Sequence, residues 1–561
     1  MRRQERAAAA APSFTAGAGS ARGPGRPLPA SRWLALLAAV LLGLASSACG
    51  EDTAERRPVA PSPSFEMGRS RQELGQPGRD NGPVRAPGPL AGALPTWTPL
   101  AGGRGSVAAP AAVAVAPTGV STAVAPPVDV AVPPDAPPGF TPPADIPQPT
   151  VRPALSVSAD GPPATDPEIV ALMRQVSASR LRSDVKRLVG FGTRHSLSAT
   201  DDRRRGVGAT RNWLAEAFAP ASVGSGSQVV VQRESFALDF GGRVSGQENI
   251  MATLTGIGRR KRLVYVGAHY DSRVVDLADG EADAPGADDN ASGVAGLLEL
   301  ARVLGARQWD ASIRLVAFAA EEQGMHGSRH HAPGARDMGL PIEAMLNLDI
   351  IGGGSDAQGN TVSDRLRVFS ADPDGGPSRQ LARHVAMMAQ RYGPIGAEIV
   401  PRSDREGRES DHQPFAEAGF AAARLISATE DLTRQHDPSD TLERLDARYH
   451  ADVVRLAVAL TANLALAPTA PTEAPELALA ANQTSSLRMI PPAVADARVA
   501  GHWMAWRLVE EAAYREWRWS AGEPLLIEGL PSGSVVAVAA AASDDAGHTS
   551  RFGPEASATL P

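Results

Sequence analysis

From residue 165 onward the chain alternates short apolar runs with stretches of helical period. Thr165-Asp166-Pro167-Glu168 reads as a cap followed by proline at the first helical position. Ile169, Leu172, Met173 and Val176 then fall on one helical face. Leu181, Val185 and Leu188 predict a second helix, and Trp213, Leu214 and Phe218 mark a third. Strands are predicted at 229–231, 250–254, 263–268, 313–318 and 345–348, with a helix over 293–304. The run at 263–268 is apolar almost throughout, as a strand buried on both faces should be. This alternation predicts an α/β domain with a mostly parallel mixed sheet and helices on both faces. In such sheets ligands bind beyond the carboxyl ends of the strands.

The flanks read differently. Of 48 prolines, 28 fall in the first 165 residues. Residues 50–165 are therefore expected to be a disordered Pro/Ala-rich linker, since proline removes backbone donors and favours extended chain. Ahead of it, the apolar run 33–45 is too short to span a membrane comfortably and suits a signal segment. Small residues follow and then Cys49, the only cysteine in the chain. The arrangement resembles a bacterial lipoprotein signal, so 1–49 is expected to be a leader and Cys49 a lipidated membrane anchor. The protein is expected to be exported, as a cell-envelope lipoprotein or in secreted form. One cysteine also excludes an intrachain disulfide and any multi-cysteine metal site. A net charge of −7 with no long basic run gives no support to nucleic-acid binding. Behind the α/β domain (166–467) a short linker leads to 476–561, with Trp503, Trp506, Trp517, Trp519, a strand-like run at 535–538 and recurring turn signals. That pattern predicts a small β-sandwich, fibronectin type III-like, with the tryptophans as core rather than a sugar-binding platform.

The polar residues sit where the strand-end rule wants them. His269 and Asp271 follow the 263 strand, Glu321 and Glu322 follow the 313 strand, and Asp349 ends the 345 strand. Asp288-Asp289-Asn290 lies just before the 293 helix. Any one of these alone reads as a surface contact or a helix cap. Clustered at strand ends, they read as one site. Histidine and carboxylates without cysteine suit catalytic zinc. Three carboxylate ligands and a hydroxide carry four negative charges, which two Zn²⁺ balance. Asp271, two residues from His269, is expected to orient that imidazole.

These strings also carry a resemblance. Gly267-Ala268-His269-Tyr270-Asp271-Ser272, Gly286-Ala287-Asp288-Asp289-Asn290-Ala291-Ser292-Gly293 and Ala319-Ala320-Glu321-Glu322-Gln323-Gly324 resemble the co-catalytic zinc aminopeptidases, among them bacterial leucyl aminopeptidases and aminopeptidase Y. Asn347-Leu348-Asp349, Ser410-Asp411-His412 and His436-Asp437-Pro438-Ser439-Asp440-Thr441 follow in the same order, so the resemblance spans roughly 170–466. It implies a zinc-exopeptidase fold, peptide substrates and two Zn²⁺. Asp289 would bridge the metals. Glu322 and His436 would complete one site, and His269 and Asp349 the other. Glu321 would be the general base and Asp271 the partner of His269. Residues binding the substrate side chain stay unassigned: some secreted relatives carry a disulfide and a tyrosine near Ser-Asp-His, whereas here Asp404-Arg405-Glu406-Gly407-Arg408-Glu409 stands in that place. That segment is expected to be a solvated charged loop, with Arg405 or Arg408 reaching a substrate carbonyl or acidic side chain as the alternative. Rival functions are a dipeptidase, a carboxypeptidase or a one-zinc glutaminyl cyclase on the same fold, or a peptide-binding homologue without turnover. The intact Glu321 and ligand set argue against the last.

Overall fold

The computed structural model describes Thr98–Pro99 and residues 162–561, apart from 220–228, 259–260, 371–372, 402–407 and 481–484. The leader with Cys49 and most of the proline-rich segment therefore lie outside the described residues. Among those described, no helix is long and apolar enough to cross a membrane. The helices are α1 (Pro167–Met173), α2 (Ala178–Val189), α3 (Gly206–Phe218), α4 (Gly293–Leu304), α5 (His326–Asp337), α6 (Pro377–Tyr392), α7 (His412–Glu417) and α8 (Ala447–Leu466). The strands of the large sheet are β1 (Thr98–Pro99), β2 (Val229–Phe240), β3 (Arg243–Leu254), β4 (Leu263–His269), β5 (Ser312–Phe318), β6 (Ile342–Leu348), β7 (Arg365–Phe369), β8 (Gly396–Val400) and β9 (Ala422–Ser427).

Their order is β1-β2-β3-β5-β4-β6-β9-β7-β8. The middle pairs β5·β4, β4·β6 and β6·β9 are parallel, whereas β2·β3, β3·β5 and β9·β7 are antiparallel. The strand–helix alternation expected from sequence breaks at β2 and β3. Only Gly241 and Gly242 join these strands, and a two-residue link can make a hairpin but never a parallel crossover. Both glycines have positive φ (60° and 79°), the conformation that a twisted two-residue turn requires.

Helices cover both faces of this sheet. On one side α1, α2, α3, α4, α6 and α8 form the larger core, and α8 is buried along almost its whole length. On the other, α5 and α7 bring Ala332, Ala335 and Phe415 onto Tyr265, Phe318 and Met345. Helix α1 starts as its sequence dictates: Asp166 accepts from the Glu168 amide at 2.8 Å and Pro167 occupies the first turn. Strand β4 is buried on every residue, and its carboxyl end opens between β5 and β6.

The C-terminal region folds as two antiparallel sheets. One is formed by β10 (Glu476–Leu479), β11 (Leu487–Ile490) and β14 (Leu525–Ile527). The other has β13 (Glu516–Ser520), β12 (Gly501–Leu508), β15 (Val535–Ser543) and β16 (Ala556–Thr559) in that order. Met489, Met504, Leu508, Ile527, Val536 and Val538 fill the space between them. The tryptophans are core, but they divide between two cores. Only Trp506 turns toward that interior. Trp503 points the opposite way with Ala505, Ala539 and Ala541, and packs with Met387 of α6. Trp517 and Trp519 meet it edge-on at 5.0 and 5.5 Å. The reason is that the larger sheet buries both faces, one inside the sandwich and one against the α/β domain, so the alternate residues of β12 serve two cores.

A histidine ties the two regions together. His548 is 1% exposed, and its ring nitrogens each lie 2.8 Å from a carboxylate, Nε2 from Asp166 and Nδ1 from Asp544. Both nitrogens can donate only in the imidazolium form. Burial alone would lower the pKa, but the two carboxylates outweigh it and hold it above its usual 6.5. A raised folded pKa gives stability that is complete below about 6.5 and lost as pH climbs through the folded value. His548→Gln is therefore expected to cost roughly 1.5–3 kcal/mol at pH 6 and progressively less above neutrality. Urea unfolding at pH 6 to 9 measures this, and a difference independent of pH would contradict the imidazolium clamp.

Candidate active site

The site assembles at the carboxyl ends of β4, β5 and β6 from residues far apart in sequence. His269 is the last residue of β4 and is fully buried. Glu321 and Glu322 sit in the tight turn after β5, where Ala320 adopts φ 56°. Asp349 follows β6 directly. Asp289 lies in the turn leading into α4. That turn needs Gly286: with φ 49°, a Cβ there would come within 2.4 Å of the Asp289 carbonyl oxygen. His436 arrives on the long connection between β9 and α8.

The geometry divides these side chains into two groups that share one carboxylate. His269 Nε2 lies 3.3 Å from Asp289 Oδ1 and 3.3 Å from Asp349 Oδ1. His436 Nε2 lies 3.2 Å from Asp289 Oδ2 and 3.2 Å from Glu322 Oε2. Within each group the ligand-type atoms lie within 4.8 Å of one another. Asp289 thus offers one oxygen to each side. Glu322 Oε1 is buried with no hydrogen-bond partner, a cost that a cation would remove. The donor set, two imidazoles and three carboxylates, is that of a catalytic zinc site.

Charges in the cluster are set by the same contacts. Burial works against the Asp289 carboxylate, yet hydrogen bonds from His269 and His436 hold its pKa well below the usual range. Burial also works against His436, but Asp289 and Glu322 push it up to about 9. Glu321 has no such partner. Burial raises it well above the ordinary carboxylate value, against the pull of His269. Asp289 and Asp349 are held below the usual carboxylate range, so Glu321 departs from them in the direction expected of a proton-transfer group.

All seven residues expected from sequence come together here. Asp271 is the partner of His269 Nδ1, which lies 3.2 Å from its carbonyl oxygen and 3.7 Å from its carboxylate. The carboxylate also accepts the backbone amides of Glu321 and Glu322, at 3.1 and 3.0 Å. It thereby fixes the turn that carries the two glutamates.

Several supporting residues had no assigned role. Ser410 donates to Asp349 at 2.5 Å, and Arg424 pairs with the same carboxylate at 3.1 Å. Arg273 pairs with Glu322 at 2.8 Å, and Gln435 donates to Asp289 Oδ2 at 3.1 Å. Asp440 accepts the amides of Asp288 and Asp289. Arg194, fully buried, donates to the carbonyls of Tyr270, Pro285 and Gly286 and braces the turn ahead of Asp289. A signal existed for Arg424, the only charged residue in the otherwise largely apolar strand β9. The segment before Ser410 is also corrected in part. Arg408 is not solvated: it is buried, bonded to Glu430 at 2.7 Å and stacked over Phe369. Residues 404–407, Arg405 included, lie outside the described residues.

The two groups open into one cleft, whose wall also includes Arg273, Gly324, Met325, Glu409, Arg424 and Gln435. Asp289 and Gln435 separate it from a second cavity lined by Ile350, Gly353, Thr429, Glu430, Asp431, Arg434 and Leu445, among others.

Comparison with known proteins gives consistent results. The sequence pattern described as peptidase family M28 matches residues 249–461. A probable zinc metalloprotease of Pyricularia oryzae is 34% identical over 410 residues, covering 65% of this chain and 81% of that protein. Another probable zinc metalloprotease, of Leptosphaeria maculans, is 35% identical over 343 residues, covering 55% and 79%. Among solved structures, the LapA aminopeptidase of Legionella pneumophila is 24% identical with a TM-score of 0.43, covering 53% of this chain and 75% of that one.

Proposed function

The chain belongs to peptidase family M28, and on that premise we propose that it is an aminopeptidase that removes N-terminal residues from peptides with the help of two zinc ions. The observation that carries the reading is Asp289, which offers one oxygen to the His269–Asp349 group and the other to the His436–Glu322 group. One ion would be held by His269, Asp289 and Asp349, and the other by Asp289, Glu322 and His436. Zinc in such a site supplies Lewis-acid activation of water and of the scissile carbonyl.

The protein's own residues do the rest. Glu321 lies in the same cleft without being part of either ligand group, so its carboxylate is available to take a proton from the attacking water. It then delivers that proton to the leaving amine. Asp271, by gripping the amides of Glu321 and Glu322, keeps base and ligand in fixed relation. Ser410 and Arg424 hold Asp349, and Arg273 holds Glu322, which limits the rotamers these ligands sample.

The test is hydrolysis of aminoacyl p-nitroanilides by the zinc-loaded chain, with N-acetylated counterparts beside them. Free-amine substrates alone are expected to be cleaved. A chelator is expected to abolish turnover, zinc to restore it, and elemental analysis to give two zinc per chain. A single zinc, with cyclisation of N-terminal glutamine in place of hydrolysis, would transfer the assignment to a glutaminyl cyclase.

The leader sequence supports export, with Cys49 as a lipidated anchor and 50–165 as a spacer between envelope and enzyme. For the C-terminal region, the strand order of three against four supports a fibronectin type III-like sandwich.

A further inference from the structure

Five carboxylates line the metal cleft: Asp289, Glu322 and Asp349 in the ligand groups, Glu321, and Glu409. Glu409 is the one without a role. It differs from the others in being exposed, and it makes no ion pair or hydrogen bond among the described residues. An unpaired surface glutamate is ordinarily unremarked. This one is held in place on both sides. Before it, Arg408 is buried against Glu430 and Phe369, and its carbonyl oxygen accepts from Arg424 at 3.3 Å. After it, the Ser410 hydroxyl is bonded to Asp349 and to Asn347. Arg424 and Ser410 both also contact Asp349, so the backbone carrying Glu409 is fastened directly to the His269–Asp349 group. A negative charge is thereby kept at the lip of the cleft with no cation of its own among the described residues. The two cleft-lining arginines are committed elsewhere, Arg273 to Glu322 and Arg424 to Asp349.

We propose that Glu409 receives the α-ammonium group of the peptide and is the residue that distinguishes a free N-terminus from a blocked one. The inference rests on the aminopeptidase reading and deepens it. A carboxylate at the lip supplies a charge-assisted hydrogen bond to –NH₃⁺, and none to a neutral acylated nitrogen. Because the ammonium is present in the ground state and the transition state alike, the contribution is to binding, and its loss appears in KM more than in kcat.

The experiment compares the full zinc-loaded chain with its Glu409→Gln and Glu409→Ala variants in two assays. The first measures kcat and KM on leucyl and lysyl p-nitroanilide. The second measures calorimetric binding of leucine hydroxamate and of its des-amino analogue, 4-methylpentanohydroxamic acid. Both variants are expected to raise KM about tenfold, equally for the two substrates, as loss of one exposed charge-assisted bond would. They are also expected to abolish the native preference for the amino hydroxamate while leaving affinity for the des-amino compound unchanged. Wild-type KM and an intact preference in both variants would overturn the assignment. Weakening confined to the lysyl substrate would overturn it too, since Glu409 would then read the side chain. If the native chain cleaves neither substrate, the aminopeptidase reading fails by itself. The hydroxamate pair still decides Glu409: a preference lost in the variants supports the amine site, and equal native binding of the two compounds overturns it.

Discussion

Glu321→Gln is expected to lower kcat roughly a thousandfold, within the range that a positioned acid–base group supplies. Zinc content and thermal stability are expected to stay near the native values. The separation follows from the geometry. The ligand groups contain Glu322 and not Glu321, so removing the Glu321 charge takes no donor from either group. What anchors this turn is the pair of backbone amides bound to Asp271, and these survive the substitution. Glutamine has nearly the same shape as glutamate and cannot carry a proton from water to amine. Burial already disfavours the charged form of Glu321, so the neutral amide costs little in the folded state. The measurement is kcat at saturating leucyl p-nitroanilide alongside zinc analysis of the same sample. More than a tenth of native kcat in the variant would exclude Glu321 as the base. A collapse of zinc content would show instead that Glu321 serves the ligand groups.

The site was legible because its chemistry lies at strand ends. His269, Glu321, Glu322 and Asp349 each follow a short, largely apolar run that marks a strand, and the fold rule for parallel sheets does the rest. Asp289 stood out only as one polar residue among three ahead of the 293 helix, and its bridging place, like His436 altogether, came from the resemblance of the surrounding strings. What sequence missed depends on contacts across large separations. Arg194 meets Pro285 and Gly286 some 90 positions away, and Arg424 meets Asp349 from β9, a neighbour of β6 in the sheet but remote in sequence. No local pattern encodes such pairs. The β2–β3 hairpin was missed because the apolar signal marked only 229–231 and 250–254, which left the Gly241-Gly242 turn far from either predicted strand. The tryptophans read as core, but alternation along β12 separates two faces without saying which neighbour each face meets.

Glu555→Ala is expected to destabilise the whole described fold by about 3–5 kcal/mol, the range seen when one partner of a buried ion pair is removed. Glu555 belongs to the C-terminal region and is nearly buried, yet it serves both sides of the junction. Its carboxylate accepts from Arg383 of α6 at 3.0 Å and from Arg507 of β12 at 2.8 and 2.9 Å. The Tyr514 hydroxyl donates to it at 3.0 Å. Arg383 is almost wholly buried and Arg507 is 2% exposed, so neither guanidinium can recover water when the carboxylate goes. Asp374 contacts both arginines at 2.6 and 2.8 Å, but its side chain is 46% exposed, and solvent weakens what it can offset. The desolvation penalty of two cations therefore outweighs the remaining attraction. Because the cluster joins α6 to β12, the loss is shared by both regions, and unfolding in urea is expected to remain one transition at a lower midpoint. Glu555→Gln, which keeps an acceptor oxygen for one arginine, is expected to lose less than Glu555→Ala. A change under about 1 kcal/mol in the alanine variant, or two separate transitions in the native chain, would mean that the C-terminal region rests on the catalytic domain without supporting it. The expected result makes it a structural part of the enzyme, holding α6 while α6 holds β8 and β9.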